Sequence, residues 1–201
     1  MSDHSTDDDP YGWAWFEGLY QSGTWEPQTK ALIDTLQPGD LFVDIGAWIG
    51  PVTRWALARG AQVIAVEPDP VALPELLRRV PDTVEVWQGA VAVEGGTARI
   101  APNPKEGGFY GDSMSRLAGE GIEVPAWTLP EILNGRTPRL VKIDVEGYET
   151  ELCPALMPWL AEQGVTVQVS FHGTLPERGW FAGFSDVQWP ADSWGDLVAR
   201  P

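Results

Sequence analysis

Apolar residues in this chain gather into short unbroken runs, and helical spacings separate them. "LFVDIG" (41–46), "AQVIAVE" (61–67), "RLVKID" (139–144) and "VTVQVSFH" (165–172) are each rich in β-branched and aliphatic residues, and each carries Asp, Glu or His at or near its end. Runs of this kind suit strands buried on both faces. Between them, "GPVTRWALARG", stopped by Gly60, and "PVALPELLRRV" read as helices, as does "YETELCPALMPWLAEQG", weakened or kinked by Pro154 and Pro158. "TVEVWQGAV" (83–91) reads as a third strand, "EGGTARIA" as a hairpin or edge strand, and "LPEIL" as a short helix. "FSDVQW" and "WGDLVARP" read as a terminal antiparallel hairpin. Ahead of all this, an irregular aromatic segment leads into a helix over Gln28–Leu36, which "QPGD" breaks. Strands alternating with helices across short connections predict an α/β fold: a mostly parallel sheet covered by helices.

Composition narrows the setting. The 201 residues, 43% hydrophobic and 21% charged, fit one domain over 11–201 behind an acidic polar tail, 1–10, expected to be disordered. The tail lacks the apolar core of a signal peptide, and no run reaches the length of a membrane span. A net charge of −16, with thirteen scattered Lys and Arg, disfavours nucleic acid and anionic membranes as partners. One cysteine, Cys153, excludes an intrachain disulfide and suits a reducing cytoplasm; without a neighbouring His it reads as a buried structural thiol. The Gly-rich stretch Pro102–Gly121 is too long for an ordinary connection and reads as a lid. Most of the eleven tryptophans are expected in the core or in pocket walls.

The strand ends carry the chemistry. In an open α/β sheet, ligands bind at the carboxyl ends of the strands, near the point where strand order reverses. Asp44 and Gly46, Glu67, Asp144 and Glu146, and His172 all fall at such ends and would line one rim. Gly46 and Gly50 allow a tight turn and close approach of a ligand. Their spacing is G-x-x-x-G, not the G-x-G-x-x-G of dinucleotide binders, and no Tyr-x-x-x-Lys pair follows; a nicotinamide oxidoreductase therefore ranks low. Glu67 lies about twenty residues past the turn, where an acid accepts hydrogen bonds from ribose hydroxyls. His172, outside the tail the sole histidine, is placed to act as a general base in its neutral form or as a hydrogen-bonding structural residue. Asp144 and Glu146 would orient it, hold a substrate hydroxyl, or fix the turn; two carboxylates and one histidine are too few to assert a metal, and none is assigned. Lys142 shares a face with Asp144 and is expected to form a buried ion pair with a neighbouring acid. Glu26 would either close over a cofactor or cap a helix. Tyr110, Asp112, Ser113 and Ser115 offer polar contacts from the lid.

"FVDIGAWIGPVTRWALARGAQVIAVEPDP" together with "RLVKIDVEGYE" resembles the FkbM-type family of S-adenosylmethionine-dependent methyltransferases over about Trp25 to His172. The resemblance implies the class I methyltransferase fold, Rossmann-like, with a mostly parallel seven-stranded sheet, helices on both faces and a C-terminal antiparallel hairpin. It implies S-adenosyl-L-methionine as cofactor, S-adenosyl-L-homocysteine as product, and methylation of a hydroxyl on a small molecule or glycan. Carried over by position, Asp44, Gly46 and Gly50 match the first cofactor motif, Glu67 and Pro68 the ribose-binding piece, and Gly89, Ala90 and Val91 the turn past the adenine. Asp144 and Glu146 match the reaction-centre motif, with His172 beside them. Trp48 departs from the Asn of many members; its ring would pack across the cofactor, close the cavity mouth or cap the core. Methylation of nitrogen or of a peptide, and a non-catalytic binding role, stay as alternatives. A second copy of the chain is kept open as a partner through exposed tryptophans.

Overall fold

The computed structural model describes residues 13–102, 110–111 and 113–201. A helix, α1 (Trp13–Ser22), leads into α2 (Pro27–Ile33), followed by β1 (Leu41–Ile45), α3 (Pro51–Ala58), β2 (Gln62–Val66), α4 (Leu73–Arg79) and β3 (Glu85–Trp87). After an inserted segment come α5 (Leu129–Leu133), β8 (Leu140–Ile143), α6 (Glu149–Glu162), β9 (Thr166–His172), β10 (Asp186–Gln188) and β11 (Trp194–Arg200). The inserted segment holds β4 (Ala90–Val91), β5 (Gly96–Ala101), β6 (Arg116–Leu117) and β7 (Ile122–Trp127).

The main sheet has seven strands in the order β10-β11-β9-β8-β1-β2-β3. Pairing is parallel from β3 through β9 and antiparallel at β9–β11 and β10–β11. The expected hairpin is present. Strand order reverses between β1 and β8, so those two form the switch point. Alternation along β1 explains the layers: Val43 and Ile45 face the cluster built with α5 and α6, while Phe42 faces the one built with α2, α3 and α4. Helices thus cover both faces.

Three expectations change. The stretch 83–91 is not one strand: β3 stops at Trp87, and Ala90–Val91 pair with β7 in a separate four-stranded sheet, β4-β7-β5-β6. The aromatic N-terminal segment is not irregular: 13–22 is helical and docks by ring contacts, with Tyr20 stacked on Trp55 at 3.5 Å and Trp13 set against Arg54 and Arg79. The helix expected over Gln28–Leu36 runs instead from Pro27 to Ile33. Despite two internal prolines, α6 is continuous for 14 residues, with both prolines on its exposed side. The tail at 1–10 lies outside the described residues.

Candidate active site

The strand ends of the main sheet open into a cavity of about 410 Å³. Its first wall is the turn after β1. Gly46 takes φ +80°, and both Gly46 and Ala47 donate their N–H to the Val66 carbonyl at 3.0 and 3.1 Å. A Cβ at Gly46 would lie 1.8 Å from the Asp144 carbonyl oxygen, so only glycine lets this turn touch the end of β8. Asp44 is wholly buried on β1; its Oδ2 accepts from Thr53 Oγ1 at 2.7 Å, and burial raises its pKa.

Glu67, at the end of β2, accepts from the backbone N–H of Trp48 and of Asp69, both at 2.6 Å. Burial outweighs those two donors and pushes its pKa up to about 8. Trp48 sits at φ +50°, and its indole Nε1 donates to the Gly111 carbonyl at 3.0 Å. The ring meets Phe16 of α1 edge-on, with centroids 5.2 Å apart. It therefore walls the cavity and ties it to Gly111, midway along the stretch 102–121.

Across the switch point lies a second group. His172 Nδ1 donates to Glu149 Oε1 at 3.0 Å, and its Nε2 stands 3.6 Å from both Asp144 Oδ1 and Glu146 Oε1. Glu149 also accepts from Val145 N–H at 3.1 Å and Gly147 N–H at 2.9 Å, so the ring's holder is itself held. Glu146 and Gly147 both take positive φ, +53° and +109°, which folds the chain back and brings Asp144 and Glu146 to one side. Burial alone would lower the His172 pKa, but the hydrogen bond to Glu149 and the charges of Asp144 and Glu146 carry it up to about 9. Burial raises Glu146 to about 7, against the pull of His172. Lys142 Nζ donates to Asp144 Oδ2 at 2.9 Å, the buried ion pair expected from alternation. Carboxylates around Lys142 raise its pKa although burial opposes them, so it stays charged. Asp144, Glu149 and His172 each place one donor atom within 4.8 Å of the others, a spacing that could hold a metal ion, but Glu149 already accepts three N–H groups.

Residues 44–188 match the sequence profile of the methyltransferase FkbM domain, more than half of the chain. The chain belongs to the FkbM methyltransferase family. Solved structures agree on the fold. An FkbM methyltransferase from Methylobacillus flagellatus KT superposes with a TM-score of 0.50 at 14% identity, over 96% of this chain and 60% of its own. MtNAS, solved in complex with MTA and tNA, gives 0.53 at 12% identity, over 96% and 64%. A precorrin-6y C5,15-methyltransferase from Geobacter metallireducens GS-15 gives 0.50 at 12% identity, over 88% of each chain. This FkbM chain thus spans under two thirds of the length of the first two proteins. Its fold is that of the class I methyltransferases. A search of curated protein sequences returns no match. Among the described residues, no helix is long and apolar enough to cross a membrane.

Within the FkbM chain, Asp44, Gly46, Trp48, Glu67, Pro68, Gly89, Ala90, Val91, Ser113, Asp144, Glu146 and His172 all line the cavity. Several expectations need correction. Gly50 does not line it; at φ +89° it starts α3, and a Cβ there would come within 2.7 Å of Leu76, so its glycine serves helix packing. Tyr110 is not in the lining either: its hydroxyl donates to the Ile100 carbonyl and its ring packs on the small sheet. Asp112 lies outside the described residues. The carboxylates around His172 hold its pKa up to about 9, above the range in which the neutral ring expected of a general base is the dominant form. Of the two roles open to Glu26, the side chain makes no cap to α2 and lines the cavity.

Sequence reading missed two residues that hold the lining of the FkbM site in place. Glu149 looked like an ordinary acid in the first turn of α6. Asp69 Oδ1 accepts from the N–H groups leading into α4, while Oδ2 accepts from Gly111 N–H at 2.7 Å and Ser115 Oγ at 2.5 Å. Its signal was its place in "EPDP", beside Glu67.

Proposed function

We propose that this FkbM methyltransferase methylates a hydroxyl of a small molecule or sugar with S-adenosyl-L-methionine, releasing S-adenosyl-L-homocysteine. The observation that carries the reading is that Glu67 and His172, on opposite sides of the β1–β8 switch point, line one cavity, with Glu149 holding the His172 ring from behind. The residues fit the cofactor: Glu67 is placed for ribose hydroxyls, Gly46 gives a turn free of Cβ, and buried Asp44 Oδ1 has no hydrogen-bond partner among the described residues. When bound, the cofactor supplies an electrophilic methyl group on a sulfonium.

The chain's own residues do the rest. Glu149, Asp144 and Glu146 favour the charged form of His172. With a positive charge bound beside these carboxylates their pull on His172 would weaken and its pKa would fall; the Nε2 proton would then pass to solvent, leaving Nε2 to accept the proton of the acceptor hydroxyl. Glu149 fixes the ring so that Nε2, not Nδ1, faces the acceptor. An amine acceptor is the second reading, favoured by six carboxyl groups in the lining against Lys142, Arg116 and His172.

Parallel calorimetric titration with S-adenosylmethionine, S-adenosylhomocysteine and NADH tests the cofactor. Binding of the first two alone is expected, and Glu67→Gln should weaken both about tenfold, as loss of a hydrogen bond predicts. Binding of NADH alone would overturn the reading. Mass spectrometry of methylated products across hydroxyl and amine acceptors separates the two acceptor classes.

A further inference from the structure

Strands β9 and β11 pair antiparallel, with Trp194 directly opposite His172 and Asp196 opposite Ser170. Val169, Phe171 and Leu197 on these strands pack into the core built with α6. Alternation therefore sets Ser170, Trp194 and Asp196 on the other side, and all three line the cavity with His172. Glu67, placed for the cofactor's ribose, ends β2 on the far side of the switch point. The β9–β11 wall is left for the acceptor.

Trp194 is not packed away. It stays 58% exposed, with its ring edge-on to the His172 ring at a centroid distance of 5.7 Å. Its backbone N–H donates to Asp192 Oδ1 at 2.8 Å, but its indole N–H donates to nothing among the described residues. Trp48 and Trp87, by contrast, direct theirs to Gly111 and Glu85. Asp196 is held by one oxygen. Its Oδ1 accepts from Ser170 Oγ at 2.8 Å and from Gln168 Nε2 at 3.0 Å, while its Oδ2 accepts nothing among the described residues.

These uncommitted groups choose the ligand. The indole ring takes an apolar face, its N–H takes an acceptor, and Asp196 Oδ2 takes a donor. A hydroxyl both donates and accepts, whereas an ammonium only donates and would leave the indole N–H unanswered. Residues two apart on one strand face lie about 7 Å from each other, a span that a six-membered ring and its substituents cover. We propose that Trp194 and Asp196 form the acceptor subsite and bind a saturated ring carrying several hydroxyls, of the pyranose kind. Its C–H face lies on the indole, one hydroxyl donates to Asp196, and another faces His172 Nε2. The proposal rests on the hydroxyl-methylation reading above and narrows its acceptor.

The test uses the full chain saturated with S-adenosylhomocysteine. Saturation-transfer NMR titrations follow methyl glucopyranoside, mannopyranoside and galactopyranoside, with cyclohexylamine as the competing class. At least one pyranoside should bind, and Trp194→Ala should weaken it about tenfold, with Trp194→Phe losing less because it keeps an aromatic face. Asp196→Asn keeps an oxygen for Ser170 and Gln168 and turns the uncommitted oxygen into a donor, so it too should weaken the pyranoside about tenfold. S-adenosylhomocysteine affinity, read by calorimetry, should stay unchanged in all three variants, which shows that the cavity is intact. Undiminished pyranoside binding in Trp194→Ala and Asp196→Asn overturns the assignment, as does loss of S-adenosylhomocysteine in every variant. Binding of cyclohexylamine alone replaces it with the amine reading. A wild type that binds S-adenosylhomocysteine but none of the rings overturns this subsite and leaves the cofactor reading standing. Failure to bind S-adenosylhomocysteine removes that reading, and this assignment with it.

Discussion

Two oxygens of Glu149 accept three N–H groups, from Val145, Gly147 and the His172 ring. One carboxylate thus sets both the turn after β8 and the ring at the end of β9. Replacing it by Gln keeps the shape and removes the charge, so the His172 pKa falls from about 9 toward the ordinary histidine value. The acidic limb of the pH–rate profile in Glu149→Gln should therefore move to lower pH. The maximal rate should drop about 100-fold, within the usual range for a displaced general base. A limb that stays in place would mean His172 does not carry the proton. In sequence, Glu149 was hidden for a physical reason: an acid in a helix's first turn already has a sufficient cause in the helix dipole, and only the folded sheet brings His172 to it. Asp44, Glu67, Asp144 and His172 were legible because a charged residue closing an apolar run has no such local excuse.

Elements were readable where one periodicity covered them end to end. The β1, β2, β8 and β9 runs were continuous and apolar, and parallel burial explains them. The small sheet was not readable, because its strands are short and β7 contains Pro125, which reads as a breaker although it sits opposite Thr97 in an antiparallel pair. Helix α1 was missed because it docks by aromatic and cation–π contacts and buries none of its own residues fully, so no aliphatic stripe marks it. In α6, Pro158 sits exposed in mid-helix and leaves the Pro154 carbonyl without its intrahelical N–H. Pro158→Ala restores that donor and should raise stability by about 1–3 kcal/mol. Chemical denaturation should show a higher midpoint with an unchanged slope; a lower midpoint would mean that the helix needs the bend.

Across the whole molecule, the cavity stores protons. Glu26, Glu67 and Glu146 are raised to about 7, 8 and 7, and His172 to about 9. Burial is the leading cause for the three acids, whereas for His172 it opposes a rise driven by neighbouring carboxylates. Each group binds its proton more tightly folded than unfolded. Its contribution to stability is therefore complete below the unfolded pKa and is lost as pH climbs through the folded value. The unliganded protein should melt highest near pH 5 and progressively lower toward pH 9, and Glu67→Gln should flatten the descent below pH 8. Scanning calorimetry across that range checks this, and a melting temperature that rises with pH would contradict it. The lone thiol offers another handle. Cys153 is fully buried in α6, and burial together with the nearby Glu149 raises its pKa, so a thiol reagent reaches it only when that helix lifts. With one cysteine per molecule, each labelled chain records a single opening event. If the lifting of α6, which begins at Glu149, empties the cavity, then S-adenosylhomocysteine at 100 times its Kd should slow labelling about 100-fold. The reaction of one buried sulfur would then time the breathing of the helix that anchors the catalytic ring.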